Sequence, residues 1–174
     1  YRVCRLLTYP ERIFRGFMKI IVFSDSHGRS GSMRDIMMTR KDADMFIHLG
    51  DGNREFERVA EDLGVGYAAV RGNCDTFASG LPLTDEILLG GKRVMFTHGH
   101  VYNVKYDLSE LVSAGFERNA DVVLFGHTHV PYENCVVREG RALRLLNPGS
   151  ISMGGSYGVV DISPAGILTG IARI

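Results

Sequence analysis

Five short stretches of the chain concentrate side chains that bind metal ions. They are Ser24-Asp25-Ser26-His27-Gly28, Gly50-Asp51-Gly52-Asn53, Gly72-Asn73-Cys74-Asp75, Thr97-His98-Gly99-His100 and Gly126-His127-Thr128-His129. Five of the six histidines fall in them. Carboxylate, imidazole and amide oxygen together suit Mn, Fe or Zn ions. Several carboxylates with several histidines exceed what one tetrahedral Zn takes. The set therefore reads as a two-metal centre, in which ions about 3.5–4 Å apart share a bridging carboxylate. The neighbouring glycines allow tight turns that bring backbone close to ions or phosphate. A single His-x-His pair is more often a strand-surface pair or a satisfied core histidine, whereas five such stretches in order are not explained that way.

Each stretch follows a segment that reads as a strand. Residues 18–23, 43–49 and 65–70 are short apolar runs, as expected of strands covered on both faces. Met33, Ile36 and Met37 share a helical face within 32–40. Phe56, Val59, Ala60 and Leu63 recur at i, i+3, i+4 and i+7, an amphipathic helix. Residues 18–70 thus form a β-α-β-α-β series, which implies a parallel sheet with right-handed crossovers. The second half is richer in strands. Residues 84–89 and 92–97 flank Gly90-Gly91, a two-residue hairpin signal. Leu108, Leu111, Val112 and Phe116 predict one more helix, followed by a strand at 121–125. Residues 134–138 and 141–146 flank Glu139-Gly140 as a second hairpin, and 156–162 and 166–173 form a third pair. The sum is one α/β domain, two sheets face to face with helices outside. In such open α/β arrangements ligands gather beyond the carboxyl ends of the strands, so the five loops are expected to converge on one crevice.

Composition narrows the function classes. The chain has 174 residues, 45% hydrophobic and 23% charged, with 20 basic against 20 acidic side chains. That is one ordinary globular domain and not a disordered chain. The balance gives no general affinity for nucleic acid. No apolar run approaches the roughly 18 residues of a membrane span. Cys4, Cys74 and Cys135 are scattered and odd in number, so no disulfide framework is expected and a cytoplasmic location is the default. Residues 1–17, with four Arg and one Glu, differ in character and read as an extension upstream of a natural start at Met18. Residues 18–174 are then the domain, with 16 basic and 19 acidic side chains. Two divalent ions would more than offset that deficit.

In this order the motifs DxH, GD, GNCD, GH and GHxH, from Met18 to about Ser150, resemble those of the calcineurin-like metallophosphoesterase superfamily. GNCD, together with Leu146-Asn147-Pro148-Gly149-Ser150, is similar to the small bacterial and archaeal branch without a cap domain, to which the retromer subunit Vps29 also belongs. The resemblance implies a four-layer α-β-β-α sandwich of two mixed sheets. It implies one metal on Asp25, His27 and His129, another on Asn73, His98 and His127, and Asp51 bridging both. Mn2+ is the expected ion, with Ni2+, Zn2+ or Fe as alternatives. The implied activity is hydrolysis of small phosphodiesters by a metal-activated hydroxide, with Asp51, Asn73, Cys74 and His98 as catalytic residues. Cys74 stands where many larger members carry a His thought to protonate the leaving group or hold phosphate. A thiol, with a reference pKa of about 8.5 against about 6.5, is a poorer acid at neutral pH. Asp75, His100 and His48 are expected to support ligands or touch substrate, His48 alternatively as a satisfied core histidine. A catalytically weak scaffold of the Vps29 kind is the competing reading. A nuclease is disfavoured for want of a basic stripe, and self-association is left open.

Overall fold

The computed structural model describes residues 16–78 and 80–174, so most of the basic extension and its Cys4 lie outside the described residues. Ten strands and three helices follow in the order β1 Met18–Phe23, α1 Ser30–Thr39, β2 Met45–His48, α2 Asn53–Leu63, β3 Tyr67–Ala69, β4 Thr84–Leu89, β5 Lys92–Thr97, α3 Ser109–Glu117, β6 Val122–Phe125, β7 Tyr132–Arg138, β8 Arg141–Asn147, β9 Ser156–Ser163 and β10 Gly166–Arg173. They form two mixed five-stranded sheets, β10-β9-β1-β2-β3 and β4-β5-β6-β8-β7. β1, β2 and β3 are parallel, as are β5, β6 and β8, and each trio is flanked by antiparallel strands.

Alternation along the strands separates three apolar layers. Ile20 and Val22 of β1 meet Phe96, Leu124 and Leu146 of the other sheet. Ile21 and Phe23, one residue out of phase, pack under Met33, Ile36 and Met37 of α1 and Phe56 and Val59 of α2. On the far side, Met95, Val123 and Phe125 meet Leu111 and Val112 of α3. The result is the four-layer α-β-β-α sandwich. No helix among the described residues is long and apolar enough to cross a membrane.

The hairpin chemistry is visible in the backbone. Gly90 and Gly91 have φ of 55° and 76°, and Glu139 and Gly140 have 51° and 75°. Positive φ at both central residues matches the right-handed twist of the strands they join. β2 stops at His48, one residue short of the apolar run. Leu49 still donates its N–H to Phe23 O, but the chain then turns at Gly50, whose φ is 103°. A 3-10 turn at His100–Tyr102, which no periodicity signals, follows β5.

Candidate metal centre

The carboxyl ends of β1, β2, β3, β5 and β6 meet where the two sheets come together. Backbone bonds tie the loops in sequence: Asp25 N–H to Gly50 O, His27 N–H to Asp51 O and Gly126 N–H to His98 O. Close approach leaves no room for side chains at several glycines of these loops. A Cβ on Gly72 would fall onto Asp51 Oδ1, and one on Gly126 onto Ser24 Oγ.

The expected ligands form two adjoining groups. In the first, the Nε2 atoms of His27 and His129 lie 3.5 Å apart, and Asp25 Oδ1 is 3.0 Å from His129 Nε2. Asp25 is fully buried, and its Oδ2 accepts hydrogen bonds from the Ser24 hydroxyl and the His127 N–H. Its Oδ1, also buried, accepts none. In the second group His98 Nδ1 donates to Leu49 O at 2.9 Å. This leaves Nε2 bare in the neutral ring. Around Nε2 stand Asn73 Oδ1 at 3.1 Å, His127 Nδ1 at 3.1 Å and Asp51 Oδ2 at 3.5 Å. Asp25 is shared between the group with His27 and His129 and a second with Asp51 and His98.

In the second group the bare Nε2 of His98 faces the oxygens of Asn73 and Asp51, and only a proton or a cation resolves that. Burial alone would raise Asp51, but the hydrogen bond and charge of His98 and the Cys74 N–H hold it well below the usual carboxylate range. Burial lowers His98 less than the Asp51 hydrogen bond and the charges of Asp25 and Asp51 raise it. His127 is pushed down to about 4 by burial and by His98 and Lys105, so it is a neutral imidazole at pH 7. The bare, buried Asp25 Oδ1 and the acceptors crowded on His98 Nε2 fit divalent ions, and the oxygen and imidazole donor set suits transition metals.

The backbone carries a second mark of the site. Among the described residues eight non-glycine residues have positive φ, and five of them are expected ligands: Asp25 (55°), His27 (44°), Asp51 (59°), His127 (69°) and His129 (61°). Such conformations cost on the order of 1 kcal/mol each or more and concentrate at functional sites. His27 is exposed, so its ring contributes little to packing. His27→Gly is expected to stabilise the metal-free protein by about 1 kcal/mol, or 2–4 °C in Tm. The same variant should lose most of the additional Tm gained with Mn2+. Paired melts with chelator and with Mn2+ measure both, and an unchanged Mn2+-induced shift contradicts a role for His27 in metal binding.

The supporting residues divide differently. Asp75 accepts from the backbone N–H groups of Gly72, Asp51, Gly52 and Asn53 and from Asn53 Nδ2, at 2.6–3.1 Å. One carboxylate therefore clamps the β2 and β3 loops together and caps the start of α2 from another loop. Burial opposes its charge, yet those N–H groups keep its carboxyl below the ordinary range. His48 is fully buried between Ser26 Oγ, Asn53 Oδ1 and the Gly50 N–H, a satisfied core histidine beneath the β2 loop. His100 stands further out, its ring 5.3 Å from that of His98 and its Nδ1 buried without a partner. Cys74 donates its N–H to Asp51 Oδ1 at 2.7 Å, and its thiol accepts from Asn73 Nδ2. Burial and the Asp51, Asp75 and Asp25 carboxylates push that thiol up to about 11.

Several positioning groups lie outside the five ligand stretches. Asn147 Nδ2 donates to Gly126 O and Thr128 Oγ1, while Ser150 Oγ donates to Asp25 O. The 147–150 segment thereby buttresses the first and last ligand loops at once. Met153 Sδ lies 3.0 Å from His129 Nδ1. Glu55 Oε1 accepts from Ser26 Oγ and the Gly28 N–H.

Comparison with known proteins agrees with this geometry. The sequence matches the calcineurin-like phosphoesterase superfamily domain over residues 18–164. The probable metallophosphoesterase YsnB of Bacillus subtilis is 34% identical over 139 residues, covering 78% of this chain and 76% of its own. A novel archaeal phosphodiesterase superposes with a TM-score of 0.67 at 22% identity, over 89% of this chain and all of its own. Vacuolar Protein Sorting 29 from Cryptosporidium parvum superposes equally well, with a TM-score of 0.67 at 13% identity over 91% and 98%. Those two likenesses speak to the fold alone. The matched stretch spans every ligand loop described above, and the chain belongs to the calcineurin-like phosphoesterase superfamily.

Proposed function

We propose that this protein is a cytoplasmic phosphodiesterase that holds two divalent ions, Mn2+ foremost, and hydrolyses small phosphodiesters. Asp25, His27 and His129 would hold one ion and Asn73, His98 and His127 the other, and Asp51 would serve both. When bound, two such ions lower the pKa of a water toward neutrality and offset the charge of the phosphoryl group. The observation that carries the reading is the set of acceptors converging on His98 Nε2 beside the unpartnered Asp25 Oδ1.

The protein's own residues supply orientation. Leu49 O fixes the His98 ring by accepting a hydrogen bond from its Nδ1–H, so Nε2 points inward. The Cys74 N–H holds Asp51 Oδ1. With its thiol pushed up to about 11 by burial and nearby carboxylates, Cys74 is neutral at pH 7 and too weak an acid to protonate a departing alkoxide efficiently. Esters with good leaving groups, aryl phosphodiesters above all, are therefore the substrates of choice. The test is hydrolysis of bis(para-nitrophenyl) phosphate with Mn2+, Ni2+ or Zn2+. Metal-dependent turnover abolished by chelator is expected. Absence of turnover with all three ions contradicts the proposal and favours the scaffold reading, which the neutral thiol in place of an imidazole also suits.

A further inference from the structure

A cleft of about 570 Å³ opens from the metal centre across the first turn of α2 to the loop after Cys74. His27, Asp51 and Cys74 line its inner end, and Arg54, Glu57, Thr76 and Phe77 its outer part. The outer part is composed for a ligand and not for packing. Phe77 is 94% exposed, although it lines a concave wall. Arg54 and the half-buried Glu57 make no hydrogen bond or ion pair among the described residues. Burial, Glu61 and Asp75 raise the Glu57 carboxyl, a cost that an N–H donor from a ligand would offset. Isolated exposed apolar side chains are common on proteins. Here, however, a ring, a guanidinium and a carboxyl without partners among the described residues share one wall that ends at the ligands.

We infer that this cleft is the subsite for one ester group of the substrate, and that the group is a nucleobase-bearing one: a planar heteroaromatic ring stacked on Phe77, its N–H edge toward Glu57, and its phosphate at the inner end. The inference rests on the phosphodiesterase reading and narrows it to nucleotide-type diesters. Base-on-aromatic stacking contributes about 1–3 kcal/mol per base, which corresponds to about 5- to 150-fold in affinity. Arg54, on the same wall, adds positive charge to a lining that otherwise carries Asp51, Glu55, Glu57 and Asp75.

The experiment compares adenosine 5′-monophosphate with methyl phosphate, titrated calorimetrically into the Mn2+-loaded protein. Both present the same phosphate to the inner end, so the affinity ratio reports the subsite alone. Adenosine monophosphate is expected to bind about 5- to 150-fold tighter. The ratio should fall to near unity in Phe77→Ala and persist in Tyr106→Ala, which removes an aromatic ring that is 92% exposed but lies outside the cleft. Equal affinities in the unaltered protein, or a ratio that survives Phe77→Ala, overturns the inference. Hydrolysis of bis(para-nitrophenyl) phosphate, measured on the same preparations, separates the two levels. Turnover with a ratio of one removes the subsite and leaves the hydrolase, whereas a tenfold ratio without turnover keeps the subsite and removes the hydrolase.

Discussion

Asp51→Asn is expected to lower kcat/KM for an aryl phosphodiester by about 10³-fold while leaving the fold intact. Asp51 is 3% exposed, with Oδ1 on the Cys74 N–H and Oδ2 turned toward His98 Nε2. An asparagine that keeps the first bond must turn its NH2 group toward Nε2 and Asn73 Oδ1. That donor satisfies the acceptors in the place of a cation, and the negative charge is lost as well. The metal-free variant should therefore melt slightly below the parent, because the Asp51 charge that His98 favours is lost, while its affinity for Mn2+ drops. Calorimetric titration with Mn2+ and the hydrolysis assay read the two effects. Retention of more than a tenth of the activity contradicts the role given to Asp51.

Asp75→Ala should produce the larger loss of stability. Its carboxylate accepts from four backbone N–H groups and one side-chain amide in two loops. Removal leaves those donors to whatever water reaches a half-buried turn, and the expected cost is about 3 kcal/mol. In Tm that is a drop of roughly 6–12 °C for a chain of this size. The pH dependence has a definite sign. Because the N–H groups hold the folded-state carboxyl below its ordinary value, its contribution is complete above the unfolded pKa of about 3.9 and is lost as pH falls through the depressed one. Asp75→Ala should accordingly be less sensitive than the parent to acid below about pH 4. Chemical denaturation at pH 7 and at acid pH measures both effects. A variant as stable as the parent at pH 7 contradicts the clamp.

What was legible in the sequence follows the range of the forces involved. Local pattern sufficed for the buried run of β1, for the α2 face of Phe56, Val59 and Ala60, and for the hairpins at Gly90-Gly91 and Glu139-Gly140. Strand ends located by pattern then placed Asp25, Asp51, Asn73, His98 and His127 in one crevice. The division expected for them between two ions came from family resemblance, because spacing along the chain does not say which imidazoles face each other. The αL backbone of the ligand loops was not legible, since Asp and His adopt it only where surrounding structure imposes it. Nor was the capping of α2 by Asp75, 22 residues from Asn53, or the buttress from Asn147 and Ser150. Those contacts arise where strands distant in sequence end side by side, and no local periodicity records them. His100, read from its place beside His98, lies outside both groups of converging ligand atoms.

Diffraction from crystals loaded with Mn2+, recorded at the manganese absorption edge, tests the central claim most directly. Two anomalous peaks roughly 3.5–4 Å apart are predicted. One should be bound by Asp25, His27 and His129, the other by Asn73, His98 and His127, with Asp51 coordinating both. A single peak, or ions bound away from these side chains, would contradict the two-metal account.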